Sequence, residues 1–352
     1  MTPHRPDFRL NRPGTLIAAL PAVLGFVPAQ SLILVAIDRG QMGAVMRVDL
    51  SDDVEGALPQ LAEVAATSGA DAVVAVIVDA KGAGCPTCNA KYRDLGDDLD
   101  DALTMRDITL LDVHLVDVIG AGGRWHCVDG CGAGGRLDDP ASSPLAMAAV
   151  LDGRRLYGTR EDLAAVIAVA DEQQRATVAG GIEQLALGGT AERAEDPEGC
   201  SRRSVQDVLA AVHGVAAGSS LGHAEIAALG YALSDVIVRD ILFALATGET
   251  AAAAESLFAD LSRSLPDPWR AQALTLLAFF AYVRSDGPLA GIALQEALRI
   301  DPAHRLAAML DQALQGGMRP EQIRHLAVTG YRLAEDIGVE LPPPLAADRR
   351  AG

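Results

Sequence analysis

Long apolar runs are missing from this chain of 352 residues, and its first residues are not expected to form a leader sequence. Apolar stretches such as residues 32–37 fall far short of the roughly 18–20 residues that a membrane-spanning helix needs. The N-terminus has no small-residue cleavage site after a short apolar segment, so it does not resemble a signal peptide. We therefore expect a cytoplasmic protein without a membrane partner, in which the cysteines are not assumed to form disulfides.

Basic residues are also scarce. The sequence has 29 Lys and Arg residues against 47 Asp and Glu residues, which gives a formal net charge of −18. Such a balance repels phosphate backbones unless a local basic patch exists, and the short arginine clusters of this sequence are flanked by acids. The charge therefore argues against a nucleic-acid partner.

Several familiar catalytic motifs are lacking. The sequence has no phosphate-binding loop with a GK[ST] ending and no HExxH zinc motif, and no dinucleotide-binding or serine-hydrolase glycine motif stands at a turn that leads directly from a predicted strand into a helix. No nucleotide, serine-hydrolase or zinc-protease chemistry can be read from it.

What the sequence does contain is a pattern of alternating strands and helices. Apolar runs of strand length occupy residues 31–37 and 73–78, and further strands are predicted at 43–50, 109–119 and 124–128. The first two strands are joined by a short turn and so form a hairpin, while helical segments separate the later ones. This order predicts an α/β domain over residues 1–170 with a mixed, mostly parallel sheet.

The second half of the chain has a different pattern. Residues 171–203 are polar and rich in glycine, which predicts a linker. Residues 204–338 contain successive helical segments separated by Gly or Pro, and therefore predict an all-α domain. The proline-rich end, residues 339–352, is predicted to be a disordered tail.

Four of the five cysteines occur as two close pairs, Cys85 with Cys88 and Cys127 with Cys131. Two pairs of thiolates within glycine-rich turns suit a tetrahedral structural zinc site, because each pair can place both sulfurs on one ion. His114 and His126 are spare ligands, and Asp129 is a candidate outer-shell acceptor.

Two other interpretations of the cysteines stay open. Cys85 and Cys88 form a C-x-x-C pair between a strand and a helix, where the helix N-terminus favours a thiolate, so they are also candidates for a reversible redox pair. Alternatively, all four are unligated residues of glycine-rich loops. Cys200 is isolated in the predicted linker and is interpreted as a bystander.

One segment of the predicted helical domain has repeat-like spacing. Numbered as a 34-residue unit from Ala271, it has small residues at Ala278 and Ala290 and a closing proline at Pro302, which resembles a tetratricopeptide repeat. This pattern predicts a surface for a protein partner, with an ordinary helical bundle as the alternative.

Several segments together resemble a known family over nearly the whole chain. They are residues 24–28 (LGFVP), 31–35 (SLILV), 46–50 (MRVDL) and 123–125 (GRW) with its following cysteines, and the later Ser143-Pro144 and residues 297–302. These resemble the actinobacterial family called domain of unknown function 4192. The resemblance implies a fold and a taxonomic range, and it supplies no activity or catalytic residue.

The sequence favours a non-catalytic regulatory or scaffolding protein that carries a structural zinc site. The main alternative is an enzyme with its active site at the carboxyl ends of the sheet strands, where open α/β folds commonly bind ligands. A thiol redox protein that uses Cys85 and Cys88 is the third hypothesis.

Overall fold

A computed structural model describes residues 12–51, 53–151, 154–169 and 171–345. The chain divides into two compact units. The first extends to Leu163 and includes Gln315–Gly317, and the second contains the remainder. Of the helices in the described ranges, none is both long enough and apolar enough to cross a membrane.

The described part of the first unit contains a six-stranded sheet with the strand order β2-β1-β3-β4-β5-β6. Its strands are β1 (Ser31–Asp38), β2 (Gln41–Asp49), β3 (Ala72–Val78), β4 (Thr109–Val116), β5 (Arg124–Cys127) and β6 (Gly134–Arg136). The predicted hairpin of β1 and β2 is confirmed, as are the strands predicted at 73–78, 109–119 and 124–128 to within a few residues.

The prediction of a mostly parallel sheet is wrong. Among the described strands, β3 and β4 pair in parallel, and the other four neighbouring pairs are antiparallel. The helical connections do join strands that run in the same direction. Strands β2 and β3 are both antiparallel to β1, and β3 is parallel to β4. However, the hairpin inserts β1 between β2 and β3, and the short connections on either side of β5 require antiparallel neighbours.

Helices cover the sheet. On one face, α2 (Val54–Thr67) and α3 (Pro86–Thr104) pack on alternate strand residues, as the two-residue repeat of a strand requires. The main residues of this core are Leu32, Leu34, Leu58, Leu61, Val73, Ala75, Ile77, Leu95, Leu99, Leu103, Val113 and Leu115. Helix α1 (Pro13–Leu24) packs against α4 (Pro144–Leu151), and β3 is buried along its whole length. These central strands therefore form a rigid support for the residues at their ends.

The second unit is largely helical. After α5 (Arg160–Ala164) come α6 (Glu172–Glu195), α7 (Pro197–Ala216), α8 (His223–Ala232), α9 (Val236–Leu242), α10 (Ala251–Ser264), α11 (Arg270–Val283), α12 (Gly287–Ile300), α13 (Arg305–Gln315), α14 (Pro320–Ile323) and α15 (His325–Asp336). Helix α11 is buried almost throughout and packs on α10 and α12. The predicted helical second half is thus confirmed, with α11 as its central element.

The segment predicted as a linker is helical instead, since residues 171–203 form α6 and the start of α7. Two of its glycines, Gly181 and Gly189, serve close packing between helices. A Cβ atom added at Gly181 would lie 2.9 Å from the Cβ of Ala227, and one at Gly189 would lie 2.9 Å from the hydroxyl oxygen of Tyr231. Helix α6 therefore contacts α8 closely through residues that the sequence pattern associates with flexibility.

Part of the predicted disordered tail is also held in place. Val339 is buried, the Leu345 amide donates to the carbonyl of Thr247 at 2.9 Å, and the Tyr331 hydroxyl donates to the carbonyl of Pro342 at 2.8 Å. Residues 346–352 of that prediction lie outside the described residues.

Candidate functional site

The carboxyl ends of β3 and β4 meet the start of β5 at one edge of the sheet. Val78 is paired with Val116 in the parallel ladder, and Val116 is paired with Trp125 in the antiparallel one. The loop from β3 to α3, the loop from β4 to β5 and the end of β6 therefore converge here, as expected for the ligand-binding edge of a sheet that contains a parallel pair.

Asp79 immediately follows β3 and is buried, with 7% of its surface exposed. Its carboxylate accepts hydrogen bonds from Tyr92 Oη at 2.6 Å, Gln30 Nε2 at 2.7 Å and the Lys81 amide at 3.0 Å. Burial raises the pKa of Asp79, but the hydrogen bonds from Tyr92, Gln30 and the backbone outweigh it and hold the pKa below the ordinary value. Asp79 is thus an ionised anchor that fastens the β3–α3 loop to α3 and to the start of β1.

A cavity of about 480 Å³ opens at this edge. Its walls come from the β3–α3 loop, from Asp117 after β4, and from strands β5 and β6. The lining residues are Ala80, Ala83, Gly84, Asp117, Arg124, Trp125, His126, Gly135 and Arg136. The volume lies within the range of small-molecule sites, and the lining combines apolar surface with a few polar groups.

Hydrogen bonds fix two polar groups of this cavity, Asp117 and His126. One oxygen of Asp117 accepts from the amides of Val118 and Arg124, at 2.6 and 2.7 Å. The Asn89 side chain donates its amide to the Val128 carbonyl at 3.3 Å, so its oxygen is the acceptor for His126 Nε2 at 2.9 Å. His126 is thereby held against α3 with a proton on Nε2.

Trp125 is held between two glycines. A Cβ atom added at Gly14 of α1 would lie 3.0 Å from the indole nitrogen, and one at Gly135 of β6 would lie 3.3 Å from it. On the same strand face the ring makes an edge contact with His114, at 5.1 Å between ring centroids. The indole is therefore held rigidly on the face of β5 opposite to Arg124 and His126, and Trp125 is one of the residues that line the cavity.

The predicted pair Cys85 and Cys88 lies at the start of α3. Cys85 is the N-cap residue, and its sulfur accepts a hydrogen bond from the Cys88 amide at 3.4 Å. Hydrogen bonds from the thiol and amide of Cys88 lower the pKa of Cys85, whereas the pKa of Cys88 is raised, mainly by the same interaction with Cys85. The pair is therefore a dithiol with one sulfur favoured as the thiolate.

Cys127 and Cys131 form a second, separate pair. Cys127 is buried at the end of β5, directly opposite His114, while Cys131 is exposed. Burial raises the pKa of Cys127, and the neighbouring Cys131 thiol adds to this effect. Because side chains alternate along a strand, Cys127 projects to the sheet face opposite to His126, which bonds to α3.

The structure thus brings each cysteine pair together but does not assemble all four. Within the described ranges, no three His, Cys, Asp or Glu side chains form a group that could hold a metal ion. A four-cysteine zinc site needs all four sulfurs at about 2.3 Å from one ion. The site formed by Cys85, Cys88, Cys127 and Cys131 therefore stays a prediction.

The remaining predicted residues have other surroundings. His114 is 2% exposed, its Nδ1 has no hydrogen-bond partner, and burial lowers its pKa. Asp129 lies 3.9 Å from the Cys127 sulfur, and Cys200 accepts from Arg203 at 3.3 Å in α7. Neither His114 nor Cys200 lines the cavity at the sheet edge.

Sequence reasoning missed Asp79, Asn89 and Arg136. The acid directly after a buried strand and the glycines at positions 82 and 84 are the signal by which the loop could have been found. Nothing in the local sequence connects Arg136 with Arg124, since their proximity depends on the pairing of β5 with β6.

Fold and cavity together define a two-unit protein, in which an α/β unit with a polar cavity at its strand ends is combined with a largely helical unit. The chain belongs to the family described as domain of unknown function (DUF4192), whose model matches residues 13–321. The family resemblance of the sequence is thereby confirmed, while the taxonomic range and the tetratricopeptide-like repeat stay predictions. No curated protein and no solved structure matches the chain.

Proposed function

We propose that the first unit binds a small molecule in the cavity at the carboxyl ends of β3 and β4. The observation that supports this proposal is the combination of a cavity of about 480 Å³ with polar side chains on a rigid support. The Asp79 carboxylate anchors one wall, and the Asn89–His126 hydrogen bond anchors the other. Sites of this kind favour one ligand orientation, because the polar groups do not have to be ordered on binding.

Occupancy of the cavity is expected to stabilise the first unit. The chain has two tryptophans, and Trp125 lines the cavity, so a Trp269→Phe background leaves Trp125 as the reporter. In a screen of metabolite-sized compounds, we expect at least one chemical class to raise the unfolding midpoint of Trp125 emission in a saturable way, because a ligand that binds only the folded state shifts the equilibrium.

A cavity-filling variant provides the control. A side chain at Gly84 would enter open space in the cavity lining, so Gly84→Phe is expected to abolish the stabilisation without unfolding the unit. Gly120→Phe places the same ring at another open position that does not line the cavity, and should bind as the parent does. Stabilisation that persists in Gly84→Phe, or a screen without any hit, would contradict the proposal.

Thiol exchange at Cys85 and Cys88 is a second candidate function, supported by the 3.4 Å contact at the helix start and by the opposite pKa shifts of the two thiols. With a small-molecule disulfide as oxidant, the Cys85 thiolate attacks one sulfur and releases one thiolate. The Cys88 sulfur, after losing its proton, then attacks Cys85 in the mixed disulfide and releases the second thiol. The products are one internal disulfide and two reduced small thiols.

Equilibration with oxidised and reduced glutathione tests this candidate by peptide mapping. We expect a reversible disulfide within the peptide that contains Cys85 and Cys88, its loss in Cys88→Ser, and its retention in Cys200→Ser. Both thiols remaining open to alkylation under excess oxidised glutathione would rule the candidate out.

A further inference from the structure

Two arginines face each other in the wall of the cavity. Arg124 of β5 and Arg136 of β6 are directly opposed in the antiparallel register, so their side chains leave the same face of the sheet. Like charges in this arrangement repel each other and destabilise the strand pair. Both side chains are exposed, so solvent screens this repulsion, and a negative group between them would be attracted to both.

No carboxylate of the described chain supplies that group. Neither Arg124 nor Arg136 takes part in an ion pair with another described residue, although the sequence has many more acids than bases. Arg106 and Arg175 of the same chain, by contrast, are paired with nearby acids. The carboxylate that lines the cavity, Asp117, directs one oxygen to two backbone amides. Two guanidinium groups are thus left to face the cavity.

The other walls suit an anion with an organic part. Ala80, Ala83 and Gly84 of the β3–α3 loop add apolar surface to the cavity. Trp125 also lines the cavity, with its indole on the face of β5 opposite to Arg124. The cavity is large enough for a molecule of metabolite size and has its positive groups on one side.

We propose that Arg124 and Arg136 bind the oxyanion group, a phosphate or a carboxylate, of a small organic ligand in this cavity. Planar guanidinium groups donate paired hydrogen bonds to such oxygens, and an anion between them replaces the repulsion of the free state by attraction. This inference rests on the proposed function, and it specifies the chemical class of the ligand.

Titrations of the Trp269→Phe chain with matched probes test the inference. The probes are phosphate monoesters and dicarboxylates, each with its uncharged counterpart, such as glucose 6-phosphate with glucose and succinate with succinamide. We expect saturable changes in Trp125 emission for members of the anionic set, and binding at least about tenfold weaker for the uncharged partners. Arg124→Gln and Arg136→Gln should each weaken anion binding by about 10–100-fold, which is typical for a lost charge-assisted hydrogen bond.

A matched control removes the same charge elsewhere. Arg39 is exposed beside Asp38, and Arg39→Gln should leave anion binding unchanged. Without ligand, Arg124→Gln and Arg136→Gln should be at least as resistant to urea as the parent, because each relieves the repulsion. Lost binding in these variants is therefore not explained by unfolding.

The outcomes separate the two proposals. Uncharged probes that bind as tightly as the anions, or arginine variants that bind as Arg39→Gln does, would overturn the anion assignment but leave a ligand cavity in place. If no probe or screened compound changes Trp125 emission or stability, both proposals fall. Phosphate and carboxylate probes that differ in affinity identify which oxyanion is preferred.

Discussion

Replacing Arg270 by Met is expected to destabilise the second unit by about 3–5 kcal/mol. Arg270 is 2% exposed at the start of α11. Its guanidinium donates to the carbonyls of Ser262 and Ile167, at 2.6 and 2.7 Å, and to the carboxylate of Glu296. Methionine fills similar space but leaves these acceptors without their donor, and the loss of a buried partner is costly.

Trp269 lies next to this arginine, so its emission in a Trp125→Phe background reports unfolding of the second unit. Arg299 provides the matched control, because it also bonds to Glu296 but its side chain is 62% exposed. We expect no measurable shift of the urea midpoint for Arg299→Met, since exposed ion pairs contribute little. Equal effects of the two substitutions would show that burial of Arg270 does not determine its contribution.

Replacing Gly82 by Ala is expected to destabilise the first unit by about 2–4 kcal/mol, through overpacking and damage to a charged hydrogen-bond network. A Cβ atom at Gly82 would lie 2.0 Å from an Asp79 carboxylate oxygen and 2.9 Å from the Tyr92 ring. The carboxylate cannot move aside without breaking its bonds to Tyr92 and Gln30. The β3–α3 loop, which lines the cavity, should therefore shift and lose ligand affinity.

Gly84 is two residues away in the same loop, and a Cβ atom there would meet nothing within 4 Å. The free energy of unfolding of Gly84→Ala should therefore lie within about 0.5 kcal/mol of that of the parent, as is common for surface substitutions. The midpoint of Trp125 emission in urea, measured in Trp269→Phe, compares the two variants. A Gly82→Ala chain as stable as Gly84→Ala would show that the Asp79 network adapts and does not fix the loop.

Much of the secondary structure was predictable because local patterns determine it. The runs 31–37 and 73–78 are apolar throughout, and both become buried strands because helices or neighbouring strands cover them. The helical face marked by Tyr92, Leu95 and Leu99 packs on the sheet in α3. The glycines of residues 171–203 misled the prediction, because a glycine that permits close helix packing has the same local sequence signal as one in a flexible linker.

The site was less predictable than the fold. Sequence reasoning placed Cys85 and Cys88 correctly at the loop between a strand and a helix, and it identified the strand ends as an alternative location for a ligand. It could not show that Cys127 points away from the sheet face of His126, since that depends on strand register. Nor could it pair Arg124 with Arg136, which meet only after β6 has joined β5.

By itself, the sequence determined β1 to β5, most of the helices and the division into an α/β half and a helical half, because these follow from local periodicity and composition. Only the tertiary structure decided that β1 lies between β2 and β3, and that two arginines face one cavity. The physical reason is that strand order and register depend on contacts between residues distant in the chain, and a shift of one residue moves every side chain to the other face.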